Sequence, residues 1–251
     1  MQTPAVIRHL IIINIIMFIA TMFNQPLMIK LFAMHFPEHP DFRPWQIITH
    51  MFMHGGTMHI MFNMYALWAF GAPLVYHYGE KKFLWFFIAS GIGAVLFYTG
   101  IQYYQFFNYL DQLSASGVPS GIIEEALHTE NFKRFTSLLV RNGLIYDENI
   151  LLLIEKLRRI YHVPMVGASG AVYGILVAFG FFYPRAKLML IFIPYPIEAR
   201  YFIPLLILGD IFMGFTNVFN SPVAHFAHVG GALTGLLLLW LWRNKRQEYY
   251  F

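Results

Sequence analysis

The stretch GASGAVYGILVAFGFFY, residues 167–183, contains no charged residue and is apolar along most of its length. It approaches the roughly 20 apolar residues that an α-helix needs to cross a bilayer. Gly170 and Gly174 are four positions apart, a spacing typical of membrane helices that pack closely together. A serine, Ser169, lies near the start of the stretch. The stretch therefore predicts a closely packed membrane helix that carries a hydroxyl group near one surface.

The rest of the chain has the composition of a membrane protein. Of its 251 residues, 58% are hydrophobic and only 12% are charged, whereas a soluble domain carries roughly 25% charged residues. Apolar runs predict six membrane-spanning helices, at about residues 10–28, 57–77, 83–104, 167–183, 201–218 and 224–242. The predicted fold class is therefore all-α, a polytopic bundle of six transmembrane helices in a single membrane domain of residues 1–251.

Charge and cysteine content exclude several classes of protein. The chain has no cysteine, so neither a disulfide framework nor a thiolate metal site is possible. The formal net charge of +4 comes from basic loops, and we expect no nucleic-acid partner. If the N-terminus is cytoplasmic, the short cytoplasmic loops hold most of the basic residues, among them Lys81, Lys82, Arg185 and Lys187. This pattern predicts a multi-pass membrane protein with its N-terminus inside, and we expect the membrane to be a bacterial inner membrane.

The sequence predicts an extramembrane helical insertion within the membrane domain. It comprises residues 105–165, between the third and fourth spans. Two amphipathic helices fit it, with apolar faces formed by Phe132, Phe135, Leu138 and Leu139 and by Ile150, Leu153, Ile154, Leu157, Ile160 and Tyr161. Asp147 is placed to cap the second of these helices. The insertion could be a structured spacer, a platform on the membrane surface or a lid that faces a substrate.

Polar side chains inside the predicted spans are costly unless they are paired, and each is therefore a functional candidate. They are His59 and Asn63 in the second span, Ser169 and Tyr173 in the fourth, Asp210 in the fifth, and His225 and His228 in the sixth, with Asn14 in the first as a minor addition. The second, fourth and sixth spans start at the same surface, so their polar groups lie at a similar depth. Asp210 has no obvious partner, and we expect only a structural hydrogen bond for it.

These side chains are typical of a serine hydrolase, in which a histidine takes the proton of the nucleophilic hydroxyl. Ser169 is the predicted nucleophile and His228 the predicted base. His228 shares its helix face with the small residues Gly231 and Gly235, which allow another helix to approach closely. His225 lies nearer the interface, where water would weaken its hydrogen bond to a serine.

The other roles of a hydrolase can also be assigned. Asn63, His59 and the backbone amide at the start of the fourth span are candidate donors for the oxyanion hole. Tyr173 lies one turn beyond Ser169, where it could stack against the histidine and orient it. The zinc-protease signature H-E-x-x-H is absent. We therefore expect peptide-bond hydrolysis by the serine rather than by a zinc protease.

Three motifs together resemble the rhomboid family of intramembrane serine proteases. They are His59-x-x-x-Asn63, Gly167-Ala168-Ser169-Gly170 and Ala227-His228-x-x-Gly231-x-x-x-Gly235. The segment Thr49-His50-x-x-x-His54 before the second span is similar as well. The chain departs from many members at Trp45-Gln46, where they have Trp-Arg, and in its long insertion.

The resemblance implies a rhomboid-like six-helix bundle in the lipid bilayer with serine endopeptidase activity. It implies a Ser169–His228 dyad, and an oxyanion hole formed by His59, Asn63 and the Ser169 amide. It further implies that Tyr173 stacks on the base and that no cofactor is used. The substrates would be transmembrane helices of other proteins, cut near the outer surface.

Two other functions are compatible with the same residues. A catalytically silent rhomboid-like protein would bind membrane clients without cutting them, although such proteins typically lack the serine or the histidine, and both are present here. A membrane metal or haem protein could use neutral imidazoles as ligands. The candidates for that role, with which no acidic partner is expected, are His50, His54, His59, His225 and His228.

Overall fold

The structure is a computed structural model that describes residues 2–129, 137, 139–141, 143, 148–190, 193–216 and 224–243. Its helices are α1 (Ala5–Phe23), α2 (Gln25–Phe32), α3 (Gln46–Thr49), α4 (Thr57–Tyr78), α5 (Glu80–Ala115), α6 (Ser120–His128), α7 (Glu148–His162), α8 (Ser169–Phe182), α9 (Ala199–Thr216) and α10 (His225–Arg243). A 3-10 turn, His50–Phe52, follows α3, and two strands, β1 (Lys187–Leu190) and β2 (Ile193–Glu198), precede α9. The predicted helical, polytopic membrane fold is confirmed.

Five of the described helices, α1, α4, α5, α9 and α10, are long and apolar enough to cross a membrane. The chain is therefore a multi-pass integral membrane protein. Helix α8 is also apolar but has only 14 residues. At about 1.5 Å per residue it extends roughly 21 Å, less than the roughly 30 Å of a bilayer core. The count of six spans therefore stays a prediction.

The first membrane helix ends earlier than the sequence predicted. Helix α1 ends at Phe23, and the Asn24 side chain accepts a hydrogen bond from the Leu27 backbone N–H at 3.2 Å. This capping bond, together with Pro26 in the first turn, begins α2 as a separate helix. The predicted span of residues 10–28 thus combines the end of one helix with the start of the next.

A two-stranded antiparallel hairpin lies between α8 and α9, where the sequence predicted no strand. Lys187 is paired with Glu198 in its register. Pro196 cannot donate the backbone hydrogen bond that a helix requires, whereas a two-stranded sheet has an open side that tolerates proline. The Ala199 N–H donates to the Ala186 carbonyl at 2.9 Å. This bond closes the base of the hairpin where α9 begins.

The chain divides into two compact units. The first comprises Met1–Ala33, Pro44–Tyr98 and Met165–Phe251, and the second comprises Met34–Arg43 and Thr99–Pro164. The second unit therefore includes a short segment before α3 in addition to most of the predicted insertion. It has an apolar core of its own, to which Phe36, Phe106, Leu113, Leu139, Ile154 and Leu157 contribute.

Helix α7 in the second unit corresponds to the second amphipathic helix expected in the insertion. Its predicted apolar stripe faces the core, with Ile150, Ile154, Leu157, Ile160 and Tyr161 buried. The Tyr161 hydroxyl also donates to the Glu38 carbonyl at 3.2 Å. Of the other residues named for the insertion, Leu139 is buried, whereas Phe132, Phe135, Leu138 and Asp147 lie outside the described residues.

Helices α4, α8 and α10 of the first unit run in the same direction. Near their C-terminal ends, the ring of Tyr78 lies 5.4 Å from that of Phe182 and 5.4 Å from that of Trp242. Lys82 from α5 covers this end, with its Nζ atom 4.4 Å from the Trp242 ring. The N-terminal parts of the three helices, which carry most of the predicted polar groups, therefore lie together at the opposite end.

Candidate active site

Ser169 and His228 meet near the starts of two neighbouring helices. Ser169 is the first residue of α8, and His228 lies in the first turn of α10. The His228 Nε2 atom lies 2.9 Å from the Ser169 Oγ atom, which is hydrogen-bond distance. The histidine is buried, with 9% of its surface exposed, so little water competes for this bond. The pair has the geometry of a nucleophile and its base.

Two rows of glycines allow α8 and α10 to lie this close. A Cβ atom on Gly231 would overlap the carbonyl oxygen of Gly170. A Cβ atom on Gly235 would lie 2.7 Å from the Gly174 Cα atom, well inside the roughly 3.5–4.0 Å of an ordinary carbon contact. The two backbones are therefore in direct contact, and no larger residue fits between them.

Tyr173 restricts the orientation of the histidine ring. It lies one turn after Ser169 on α8, and its ring is stacked on that of His228. The ring centroids are 4.2 Å apart and the planes differ by only 11°. Because the stacked ring blocks one face of the imidazole, His228 cannot rotate freely away from Ser169.

Asp210 has three partners, and the expectation that it lacked an obvious one was wrong. Its Oδ1 atom lies 3.1 Å from His228 Nδ1 and 2.6 Å from His225 Nδ1. Its Oδ2 atom accepts a hydrogen bond from the Tyr173 hydroxyl. These partners come from α8 and α10, and only the packing of both helices against α9 brings them to the carboxylate.

His225 contacts the aspartate rather than the serine. Its ring centroid lies 6.3 Å from that of His228, in an edge-on arrangement. In the described part of the chain, the Ser169 hydroxyl is bonded to His228, and the bond of His225 goes to Asp210. Of the two histidines, His228 is thus the one that lies at the serine.

His59 and Asn63, the predicted oxyanion donors, lie in the first two turns of α4. Gly167 has a φ of 125°, and a Cβ atom there would lie 2.7 Å from His59 Nε2 and 3.6 Å from Ser169 Oγ. The His59 ring therefore faces the turn that leads into Ser169. Asn63 is buried, and one N–H of its amide donates to the His59 carbonyl at 3.0 Å. The first N–H groups of α8 have no acceptor within that helix.

Comparison with known families finds one that matches most of the chain. Two overlapping segments, residues 41–139 and 128–245, match the family model described as the Rhomboid domain. The chain belongs to the rhomboid family. The resemblance inferred from the three motifs is therefore confirmed.

Three relatives illustrate the range of this rhomboid's similarities. RHOMBOID-like protein 12, mitochondrial, of Arabidopsis thaliana is 26% identical over 229 residues, 90% of this chain and 55% of the relative. Rhomboid protease AarA of Providencia stuartii is 28% identical over 203 residues, 77% of this chain and 54% of the relative. Rhomboid protein 1, mitochondrial, of Saccharomyces cerevisiae is 26% identical over 205 residues, 77% of this chain and 40% of the relative.

These comparisons show how much of its relatives the chain covers, and they bear on the membrane in which it lies. The chain spans about half the length of the first two relatives, at 55% and 54%. Two of the three relatives are mitochondrial proteins of eukaryotes. The expected bacterial inner membrane is therefore not supported, whereas the integral membrane location is. The orientation with the N-terminus inside stays a prediction.

The segment before α4 supports the turn that precedes Ser169. The Gly167 N–H donates to the His50 carbonyl at 2.9 Å, and the His50 Nδ1 donates to the Gln46 carbonyl at 2.8 Å. Burial lowers the pKa of His50 from 6.5 to about 4. Burial, together with the neighbouring His59, lowers the pKa of His54 to about 3. Both rings are thus neutral at neutral pH, and the two bonds of His50 support the turn before Ser169.

Gln46 has a structural role at the position where many rhomboids carry arginine. Its side chain is buried, and its Nε2 atom donates to the Lys30 carbonyl at 3.0 Å. The neighbouring Trp45 Nε1 donates to the Leu31 carbonyl at 2.8 Å. These two bonds attach the segment to α2, and neither requires a positive charge.

The histidines named for a metal site do not form one group. Among the described residues, one set could hold an ion, formed by Asp210, His225 and His228, with one ligand atom from each within 4.8 Å of the others. The expectation that no acidic residue accompanies these histidines was therefore wrong. The Nδ1 atoms of both histidines are hydrogen-bonded to Asp210 Oδ1, and His228 Nε2 is hydrogen-bonded to Ser169 Oγ.

An open cavity of about 380 Å³ lies between α8 and α9, beside the aspartate. Its wall is mostly apolar, with Phe202, Leu205, Leu206 and Met213 supplied by α9. Tyr173 and Asp210 form its polar end. The cavity has the size and lining that suit an apolar side chain.

Proposed function

We propose that this rhomboid is an intramembrane serine endopeptidase with Ser169 as nucleophile and His228 as general base. The observation that carries the proposal is the 2.9 Å contact between His228 Nε2 and Ser169 Oγ. A serine is a weak nucleophile until a base takes its proton, and this contact supplies the base. One of the relatives described above carries the name rhomboid protease.

The reaction follows from the positions of the two side chains. His228 Nε2 takes the hydroxyl proton as Ser169 Oγ bonds to the carbonyl carbon of the scissile peptide. The tetrahedral intermediate collapses with cleavage of the C–N bond, and His228 gives the proton to the leaving amine. A water molecule, deprotonated by His228, then attacks the acyl ester. The ester C–O bond breaks, His228 returns the proton to Ser169 Oγ, and the new carboxyl terminus is released.

The negative charge of the intermediate requires nearby donors. We assign this role to the Ser169 backbone N–H, the Asn63 amide and the His59 ring. Donors held in place before the reaction stabilise the developing charge without reorganising, and they act most strongly where water is excluded. The stacked ring of Tyr173 keeps the base in position throughout the cycle.

The proposed substrates are transmembrane segments of other proteins, as for rhomboid proteases in general. The Ser169 and His228 groups lie near the starts of apolar helices, where a peptide bond at the end of a membrane helix could approach. The cavity between α8 and α9 could receive an apolar side chain of that segment. The chemistry needs no cofactor.

A fluorophosphonate probe and a transmembrane substrate in proteoliposomes test the proposal together. The wild type should cleave the substrate and carry the label on Ser169. Ser169→Ala should lose both reactions and keep its thermal unfolding midpoint. Ser90→Ala is the matched control, because Ser90 is also buried in a membrane helix but lies outside the site, and it should keep both.

Two results would contradict the proposal. Cleavage by Ser169→Ala at the wild-type rate would show that another group is the nucleophile. A folded wild type that binds the transmembrane substrate but neither cleaves it nor reacts with the probe would be a silent client-binding rhomboid.

A further inference from the structure

Asp210 connects the three helices that meet at the Ser169–His228 pair. It lies on α9, and its side chain is hydrogen-bonded to Tyr173 on α8 and to two histidines on α10. Only 7% of its surface is exposed. A carboxyl group at this depth is costly unless it is paired. Here it is paired with the same ring that the proposed mechanism needs as a base.

The bond between Asp210 and His228 determines which nitrogen of the imidazole carries the proton. A carboxylate only accepts, so His228 Nδ1 must donate its hydrogen to Oδ1 across 3.1 Å. In the neutral ring, Nε2 then has a free lone pair. That lone pair faces the Ser169 hydroxyl at 2.9 Å. The aspartate thus keeps the base in the only tautomer that can take the serine proton.

The remaining contacts hold the carboxylate itself in place. The Tyr173 hydroxyl donates to Oδ2, and His225 Nδ1 donates to Oδ1 at 2.6 Å. Both oxygens are therefore engaged, and rotation of the carboxylate would break bonds on two sides. After His228 has taken the serine proton, the same carboxylate faces the imidazolium and stabilises its charge.

We propose that Asp210 is a positioning residue that makes the Ser169–His228 pair a three-member system, acting through the His228 tautomer and charge. This inference rests on the proposed function and adds a residue to it. His225 and Tyr173 belong to the same arrangement as supports of the carboxylate.

The test compares Asp210→Asn with Asp210→Glu. Asparagine has nearly the same shape, but its amide can donate to Nδ1 and so favours the tautomer with the proton on Nε2. The kcat of Asp210→Asn should fall roughly 10²–10⁴-fold, with KM changed less than about threefold. Fluorophosphonate labelling should slow by a similar factor, because it depends on the same activation of Ser169. Asp210→Glu restores the carboxylate and should recover part of the loss.

Two control variants separate positioning from stability. Tyr173→Phe removes the hydroxyl bond to Asp210 but keeps the ring that stacks on His228, so it should lose far less than Asp210→Asn. Asn14→Ala removes a buried side chain that donates to the Leu10 carbonyl at 2.7 Å on α1, and it should leave kcat unchanged. All rates are divided by the folded fraction at the assay temperature, so loss of fold alone gives an unchanged kcat.

The outcomes distinguish this inference from the proposed function. Suppose that Asp210→Asn keeps the wild-type kcat and labelling rate, while the separate variant Ser169→Ala is inactive. This result would overturn the role of Asp210 and leave the endopeptidase proposal standing. Normal cleavage by Ser169→Ala would overturn the endopeptidase proposal instead.

Discussion

Helix α10 makes two contacts of different character. Against α8 it places Gly231 and Gly235 directly on the backbone of Gly170 and Gly174. Against α9 it uses side chains: His225 and His228 bond to Asp210, and the ring of Phe226 lies 5.3 Å from that of Phe215. Helix α9 also exposes much of its apolar surface, including Leu205, Leu208, Phe212 and Phe215.

The two contacts control different properties of the serine and histidine pair. The distance between Ser169 and His228 follows from backbone contact, which cannot relax without moving a whole helix. The protonation pattern of His228 depends on side chains of α9, which can adjust individually. A change at the first contact should therefore alter geometry, and a change at the second should alter chemistry.

The largest loss of cleavage rate is expected when a histidine of α10 is replaced. His228→Ala removes the group bonded to Ser169 and should reduce substrate cleavage and fluorophosphonate labelling to background. His225→Ala removes only one of the bonds to Asp210 and should keep a substantial fraction of both. Rates are measured in proteoliposomes with protein of matched folded content. Loss of labelling in His225→Ala with retention in His228→Ala would show that the wrong base has been assigned.

A smaller loss of cleavage rate is expected when a glycine is replaced at each of the two contacts of α10. In Gly231→Ala the new methyl group meets the backbone of Gly170, so α8 and α10 must separate. Misplacement by about 1 Å costs roughly 10²-fold in rate, and the thermal unfolding midpoint should also fall by several degrees. In Gly214→Ala the methyl group meets the ring of Phe226 at 3.0 Å, and the ring can shift.

The Gly214→Ala variant should therefore keep kcat within about threefold, since only a side chain moves. Both variants replace a helical glycine by alanine, so the intrinsic gain in helix propensity is similar in the two. Equal losses in the two variants would remove the distinction between backbone and side-chain contacts.

The smallest effect is expected on the pH dependence of stability, through His50 in the segment that supports the start of α8. The pKa of His50 is 6.5 in the unfolded chain but about 4 in the folded protein. Below pH 6.5 the unfolded state binds the extra proton, so stability should fall as the pH drops from 6.5 towards 4. In His50→Gln the unfolding midpoint should depend less steeply on pH between 6.5 and 5.

His9→Gln is the matched control, because His9 is exposed on α1 and its replacement should leave that dependence as in the wild type. An unchanged slope in His50→Gln would mean that the buried ring is not the group that acid titrates. The buried His54, whose pKa is about 3 in the folded protein, should account for part of the remaining slope.

Much of the site could be predicted from spacing alone. Ser169 and Tyr173 are four residues apart, and so are Gly231 and Gly235, so one helical turn places each pair on a common face. The hydrogen bonds of Asp210 could not be predicted in this way, because its partners are 15 to 37 residues away along the chain. The sequence held one signal for these bonds: Asp210 is an ionisable residue within the fifth predicted span, and the sixth span carries two histidines.

From the amino-acid sequence we could predict the membrane class, the positions of most helices, and the residues that could act as nucleophile, base and oxyanion donors. These follow from local properties, namely runs of apolar residues and helical periodicity. The bonds of Asp210 to both histidines follow from helix packing alone, whereas the small residues on the His228 face already favour His228 over His225 as the base. The physical reason is that hydrogen bonds between helices depend on how closely and in which rotation the helices pack.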